Sequence, residues 1–222
     1  MNRPIRIIIT GTTGMVGAGV LQVCLLQPDV EKILVINRKP CGVTHSKLTE
    51  IIHPDFFDLS TIKDKLIGYD ACFFCLGISS VGINKEEYYK TTYTLALQFA
   101  NTLKETSENL TFCYISGAGT DEKSSQNWAR VKAKTENDLM SIFPGNVYGV
   151  RPGFIKPIKG QLHVHSFYKY INWLFPIGRK MFPGGFCTIV ELALCMIHLA
   201  EHKNHEKLLS GKDIIAVAKE GS

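Results

Sequence analysis

The chain has no apolar run approaching the ~20 residues that a membrane-spanning helix needs. Linkers, internal repeats and low-complexity segments are absent as well. Charge of one sign is nowhere concentrated: 25 Lys and Arg against 20 Asp and Glu leave a net charge of +5. The nearest thing to a basic cluster is Arg38-Lys39, and no basic stripe is interleaved with aromatics. Neither a membrane nor a nucleic acid is therefore expected as a partner, whereas a mild positive field suits a small anionic ligand. Hydrophobic residues at 45% and charged residues at 20% exclude a disordered chain. The 222 residues are expected to fold as one α/β domain over 1–222.

The seven cysteines are an odd number, and Cys24, Cys72, Cys75, Cys113 and Cys195 sit inside apolar runs. They read as reduced, buried thiols rather than a disulfide framework. Cys72-Phe73-Phe74-Cys75 has the C-x-x-C spacing, but in a strand residues three apart point to opposite faces, so core packing is expected there. The apolar stretch Ile7-Ile8-Ile9 near the N-terminus is too short for a signal segment. It reads as a first strand, and the protein is expected to be cytoplasmic.

What the chain does have is alternation. Strand-like runs at 5–10, 32–37, 47–53, 70–76, 110–116 and 146–151 are separated by helical spacing at 14–27, 59–67, 84–106 and 124–142. Continuous apolar strands between helices predict a parallel sheet covered on both faces, the doubly wound Rossmann arrangement. After Pro152 the composition turns aromatic and rich in Gly and Pro. Residues 154–186 are expected to form a cap or lid on the substrate side. A helix at 188–202 and a last strand at 213–217 complete the expected order.

Thr10-Gly11-Thr12-Thr13-Gly14-Met15-Val16-Gly17 joins the first strand to the first helix. In that setting Gly11 allows a sharp turn, Gly14 lets backbone approach a pyrophosphate, and Gly17 lets helix pack on strand. The helix N-terminus then offers free N–H groups to phosphate. The end of the second strand lacks the acid that holds the ribose 2′-hydroxyl of NAD; Asn37-Arg38-Lys39 stands there instead. A guanidinium pairs with a 2′-phosphate where a carboxylate would repel it, so NADP is expected over NAD. Asp58 either contacts adenine or caps the following helix.

These residues resemble the short-chain dehydrogenase/reductase superfamily in its atypical branch. The likeness is strongest to the Tat-interacting-protein and isoflavone-reductase-like group of compact NAD(P)H-binding oxidoreductases. Further segments carry it: Asp70-Ala71-Cys72-Phe73-Phe74-Cys75-Leu76-Gly77, Tyr89-Lys90-Thr91-Thr92-Tyr93, Ile115-Ser116-Gly117-Ala118-Gly119 and Arg151-Pro152-Gly153. The resemblance implies that Leu76 and Gly77 line the nicotinamide side and that Pro152 lies in a segment closing over the cofactor. It also implies that Ser116 polarises a substrate oxygen and that Lys132 binds the nicotinamide ribose. The family's Tyr, four residues before that Lys, is here Trp128. An indole N–H donates but does not cycle a proton near neutral pH. Tyr148, Tyr114 and Asp121 are the replacements to consider.

Other groups are weaker. His198, His202 and His205 follow i, i+4, i+7 spacing, but their setting reads as a core histidine and a fraying helix end, and no metal is expected. His163 and His165 precede the aromatic cap and read as a surface pair or a pocket wall. Two functions follow: an NADP-dependent oxidoreductase acting on a small carbonyl or hydroxyl compound, or a non-catalytic NADP-binding regulator. A sugar-nucleotide epimerase or dehydratase is a third, weaker reading, because such enzymes usually have a larger C-terminal domain and use the same Tyr. Related folds often form homodimers through the two long helices, here 84–106 and 124–142.

Overall fold

Ile5–Thr10 (β1) is apolar apart from Arg6 and the closing Thr10 and sits in the middle of a sheet with both faces covered, where such a run belongs. The computed structural model describes residues 3–164, 175–203 and 205–221. In chain order β1 is followed by Met15–Leu26 (α1), Val30–Asn37 (β2), Leu48–Ile52 (β3), a 3-10 helix at Ser60–Leu66 and Ala71–Phe74 (β4). Lys85–Tyr89 (α2) runs through a π-turn at Lys90–Thr94 into Leu95–Thr106 (α3), and Thr111–Ile115 (β5), Asn127–Ile142 (α4) and Val147–Val150 (β6) follow. The remainder is Phe154–Lys156 (β7), Phe175–Met181 (α5), Phe186–Thr188 (β8), Ile189–Glu201 (α6), Leu208–Leu209 (β9) and Gly211–Glu220 (α7).

Seven strands pair in parallel in the order β3-β2-β1-β4-β5-β6-β9. The order reverses between β1 and β4, where an open α/β sheet binds its ligand beyond the carboxyl ends of the strands. Side-chain alternation divides the core in two. Ile7, Ile9, Val35 and Phe73 pack under α1, α6 and α7, whereas Ile8, Leu34, Phe74 and Phe112 pack under α3 and α4. Cys72 belongs to the second layer and Cys75 packs against the first, so the two thiols do lie on opposite faces.

One expected element is wrong. Residues 213–217 are not a strand but lie inside α7. Asp213 accepts the Ser210 N–H at 2.8 Å and starts a helix, and the buried residues Ile214, Val217 and Ala218 recur at helical spacing. Within 213–217 alone, the short apolar run could not show that period. The sheet ends instead with the two-residue β9.

Of the expected cap, residues 154–164 and 175–186 are described. β7 and β8 form a small parallel pair, and the rings of Phe154, Phe175 and Phe186 stand 5.7–6.1 Å apart between centroids. His165, Phe167, Tyr168, Tyr170 and Trp173 lie outside the described residues. His163 is not in an extended segment: its φ of 59° sits in a turn. No helix among the described residues is long and apolar enough to cross a membrane.

Candidate dinucleotide site and the residues beside it

The glycine turn is set by backbone crowding. Gly11 has a φ of +72°, and a Cβ there would come within 2.7 Å of the Cys75 carbonyl oxygen. A Cβ on Gly17 would collide with the Gly11 carbonyl. Gly14, the N-cap of α1, has only ordinary contacts around it and leaves the helix start open, with no acidic residue in the first turn. Thr12, Thr13, Met15 and Val16 complete the loop. The first N–H groups of α1 have no intrahelical partner, which suits an anion. Gln161 braces this end from far along the chain: its amide donates to the Met15 carbonyl at 2.7 Å. Nothing local in the sequence signals that brace.

Beyond the turn a cavity of about 610 Å³ is lined by Thr13, Asn37, Arg38, Lys39, Pro40, Phe56, Leu76 and His163. A second, of about 240 Å³, continues past Arg38 and Leu76 to Gly77, Phe57 and Thr91. Among the described residues neither Arg38 nor Lys39 has an ion-pair partner. Asn37 is different. It is buried, and its amide donates to the Thr12 hydroxyl at 2.6 Å and to Glu50 at 3.1 Å. Glu50, which also accepts the Cys41 N–H at 2.8 Å, comes from β3 and so was not visible at the end of β2. Asp58 accepts the Ser60 N–H at 2.9 Å in the turn that leads into the 3-10 helix, one residue before the cap position held by Leu59, and those Ser60 hydrogen bonds hold its carboxyl below the usual range. A glycine cradle, free N–H groups and an unpaired guanidinium around a cavity of this size fit a dinucleotide.

On the other side of the switch point Ser116 follows the end of β5. Its backbone N–H donates to the Val150 carbonyl and that of Ala118 to Pro152, so the loop after β5 is stitched to the Arg151-Pro152-Gly153 segment. The Ser116 hydroxyl is buried and lies 3.0 Å from that of Thr120, a partner the sequence reading missed. Lys132, on α4, donates to the Ile115 carbonyl at 3.2 Å. Burial lowers its pKa to about 8, partly offset by Glu136 one turn along. Ser116 and Lys132 are thus brought to one place.

Trp128 occupies the expected aromatic position with its ring beside the Gly117–Gly119 backbone. Its indole N–H donates to Gln126 at 3.0 Å. None of the three replacement candidates bonds to Ser116. Tyr114 is buried in the core, which drives its pKa far up. Tyr148 donates to the Lys203 carbonyl at 2.7 Å, and Asp121 accepts the Lys123 N–H at 3.0 Å.

No family profile matches the chain. The leucinostatins biosynthesis cluster protein T of Purpureocillium lilacinum is 31% identical over 143 residues, 62% of this chain and 52% of that protein. The chain therefore spans about half the length of that relative. The mitochondrial protein FMP52 of Debaryomyces hansenii is 27% identical over 200 residues, 86% of each chain. Among solved structures, ADP-L-glycero-D-manno-heptose-6-epimerase of Helicobacter pylori superposes with a TM-score of 0.69 at 17% identity, over 98% of this chain and 82% of that one. The enzyme WbmF of Bordetella bronchiseptica, in complex with NAD+, gives 0.67 at 14% over 98% and 78%. The carbonyl reductase Sniffer of D. melanogaster gives 0.55 at 14% over 85% and 97%. The chain shares the Rossmann fold of these three enzymes.

The comparisons overturn the cytoplasmic expectation, because the FMP52 relatives are named as mitochondrial proteins. That expectation rested on an N-terminal apolar stretch too short for a secretory signal segment, together with buried reduced thiols, and neither tells the cytoplasm from another reducing compartment.

Proposed function

We propose that this chain is a mitochondrial NADP-dependent oxidoreductase of the atypical short-chain type, acting on a small carbonyl or hydroxyl compound. The observation that carries this reading is the convergence of Ser116 and Lys132 beside the glycine turn, across the switch point of the sheet. Gly11, Thr13, Gly14, Met15, Val16 and Gly17 would hold the pyrophosphate. Arg38 and Lys39 would hold the 2′-phosphate, with Asn37 and Thr12 fixing the loop between them. Leu76, Gly77 and Pro152 would flank the nicotinamide, and Lys132 would bind its ribose. A bound nicotinamide dinucleotide supplies or accepts a hydride.

The chain's own part is to orient the substrate oxygen and to manage its proton. The Ser116 hydroxyl, steadied by Thr120, polarises that oxygen. With no Tyr in place, Lys132 is the group beside Ser116 whose pKa, about 8, suits proton exchange near neutral pH. The test is a titration with NADPH and with NADH followed by tryptophan fluorescence, then a screen of small aldehydes and ketones. Tight NADPH binding with turnover of any of them supports the reading; no binding of either dinucleotide would sink it.

A second reading is favoured by one observation, the engagement of the Trp128 indole with Gln126 rather than with the site. There the protein binds NADP without turning over substrate, and cofactor occupancy orders the 154–186 cap for a protein partner. NADPH binding with no turnover across the screen would favour it.

A further inference from the structure

At the opposite end of the sheet from the glycine turn, four side chains meet that the dinucleotide site does not use. His198 lies in the last turn of α6, and His202 caps that helix, its N–H donating to the His198 carbonyl at 2.8 Å. His205 follows in the connection to β9, and Glu220 is the last residue of α7. We propose that His198, His205 and Glu220 are the ligands of a divalent transition-metal site, with Zn²⁺ the ion that this donor set suits.

One donor atom from each of the three residues lies within 4.8 Å of the other two. Tetrahedral Zn²⁺ with bonds near 2.0–2.1 Å holds its ligand atoms about 3.3 Å apart. His198 Nε2 and Glu220 Oε2 already stand 3.5 Å apart. His205 is half-buried in a connecting segment and Glu220 is exposed, so both can close the remaining gap, at most about 1.5 Å from 4.8 Å to the tetrahedral spacing.

The chemistry fits an ion better than it fits the bare cluster. His198 is buried, and its Nε2 faces the Glu220 carboxylate. The rings of His202 and His205 are both within 5.1 Å of the His198 ring, centroid to centroid. Neutral imidazoles and a carboxylate satisfy a divalent ion together. Two ligands sit on α6 and α7, which pack side by side, so the site is held on rigid elements. The bound ion would pin the ends of those helices to the segment leading into β9, a structural rather than catalytic role.

The sequence spacing offered His198, His202 and His205 but read them as a core histidine and a fraying helix end, and Glu220 was not in that set. His205 reaches His198 after the helix has ended, and Glu220 comes from another helix, so neither contact is an i, i+4 relation.

The test uses the whole chain stripped with a chelator, titrated with Zn²⁺ by calorimetry and with Co²⁺ by absorption. One equivalent should bind, and Co²⁺ should give d–d bands without thiolate charge transfer. His205→Ala and Glu220→Gln change residues outside the core, so thermal unfolding of the apo forms should stay near the parent. Each should weaken Zn²⁺ by about tenfold or more, since even outer-shell partners cost that much. Absence of binding, affinity unchanged in both variants, or a thiolate band would each overturn the site.

Discussion

Glu136 is fully buried, and it is held by Arg151, whose Nε donates to its Oε1 at 2.9 Å while Nη2 bonds the second oxygen. This pair ties α4 to the residue that follows β6. Lys132 lies one turn before Glu136 on the same helix, so the pair also fixes where Lys132 meets the end of β5. Arg151→Met would leave the carboxylate buried without its cation. The expected cost is about 3–5 kcal/mol, read from urea unfolding. Pairing it with Glu136→Leu should restore part of that loss, because a buried ion pair is often replaceable by apolar groups. A loss in Arg151→Met below about 1 kcal/mol would show that the pair does not anchor α4.

Arg38 borders both cavities and is unpaired among the described residues. Arg38→Ala should weaken NADPH by about tenfold or more while leaving NADH within a fewfold, because on the proposed reading only the 2′-phosphate would contact the guanidinium. Equal losses for the two dinucleotides would move Arg38 out of the 2′-phosphate site.

How much of this was readable in advance depends on the range of the constraint. The glycine turn was legible because its demands are local: Gly17 must clear the backbone of Gly11, six residues earlier. The strands were legible because β1, β4 and β5 are buried on both faces and so nearly continuous in apolar residues. Glu50 was not, since it acts on Asn37 from the neighbouring strand, and Thr120, though only four residues from Ser116, lies in a loop whose path no local pattern fixes. Residues 213–217 were misread because Ile-Ile-Ala-Val reads as a strand until Ser210 and Asp213 are seen to start a helix.

Trp128 separates the two functional readings. Trp128→Tyr puts a phenol one turn before Lys132, beside the loop that carries Ser116. If the site retains reductase geometry, turnover of a small carbonyl should rise on the order of 100-fold, the usual contribution of a placed acid–base group. The assay is NADPH consumption under saturating substrate. Turnover that stays at background in both proteins would favour the regulator.

Lys132 makes the pH behaviour specific. Burial disfavours its charged form, so its pKa in the fold is about 8 against 10.5 when unfolded. Between those values the unfolded chain holds the extra proton, and stability should rise with pH across that window as the folded lysine becomes neutral. Below about pH 8 the full cost of burying the charge is present. Lys132→Met should therefore stabilise the protein at pH 7, and its advantage should shrink as the pH climbs towards 10.5. Activity should move in the opposite sense. If the protonated amine serves substrate or ribose, kcat/KM falls above about pH 8 while the fold grows more stable. Parallel measurement of unfolding midpoints and kcat/KM over that range checks both halves. A midpoint that is flat in the parent and in Lys132→Met would show that the amine is not desolvated, and with that the proton-exchange role would fall.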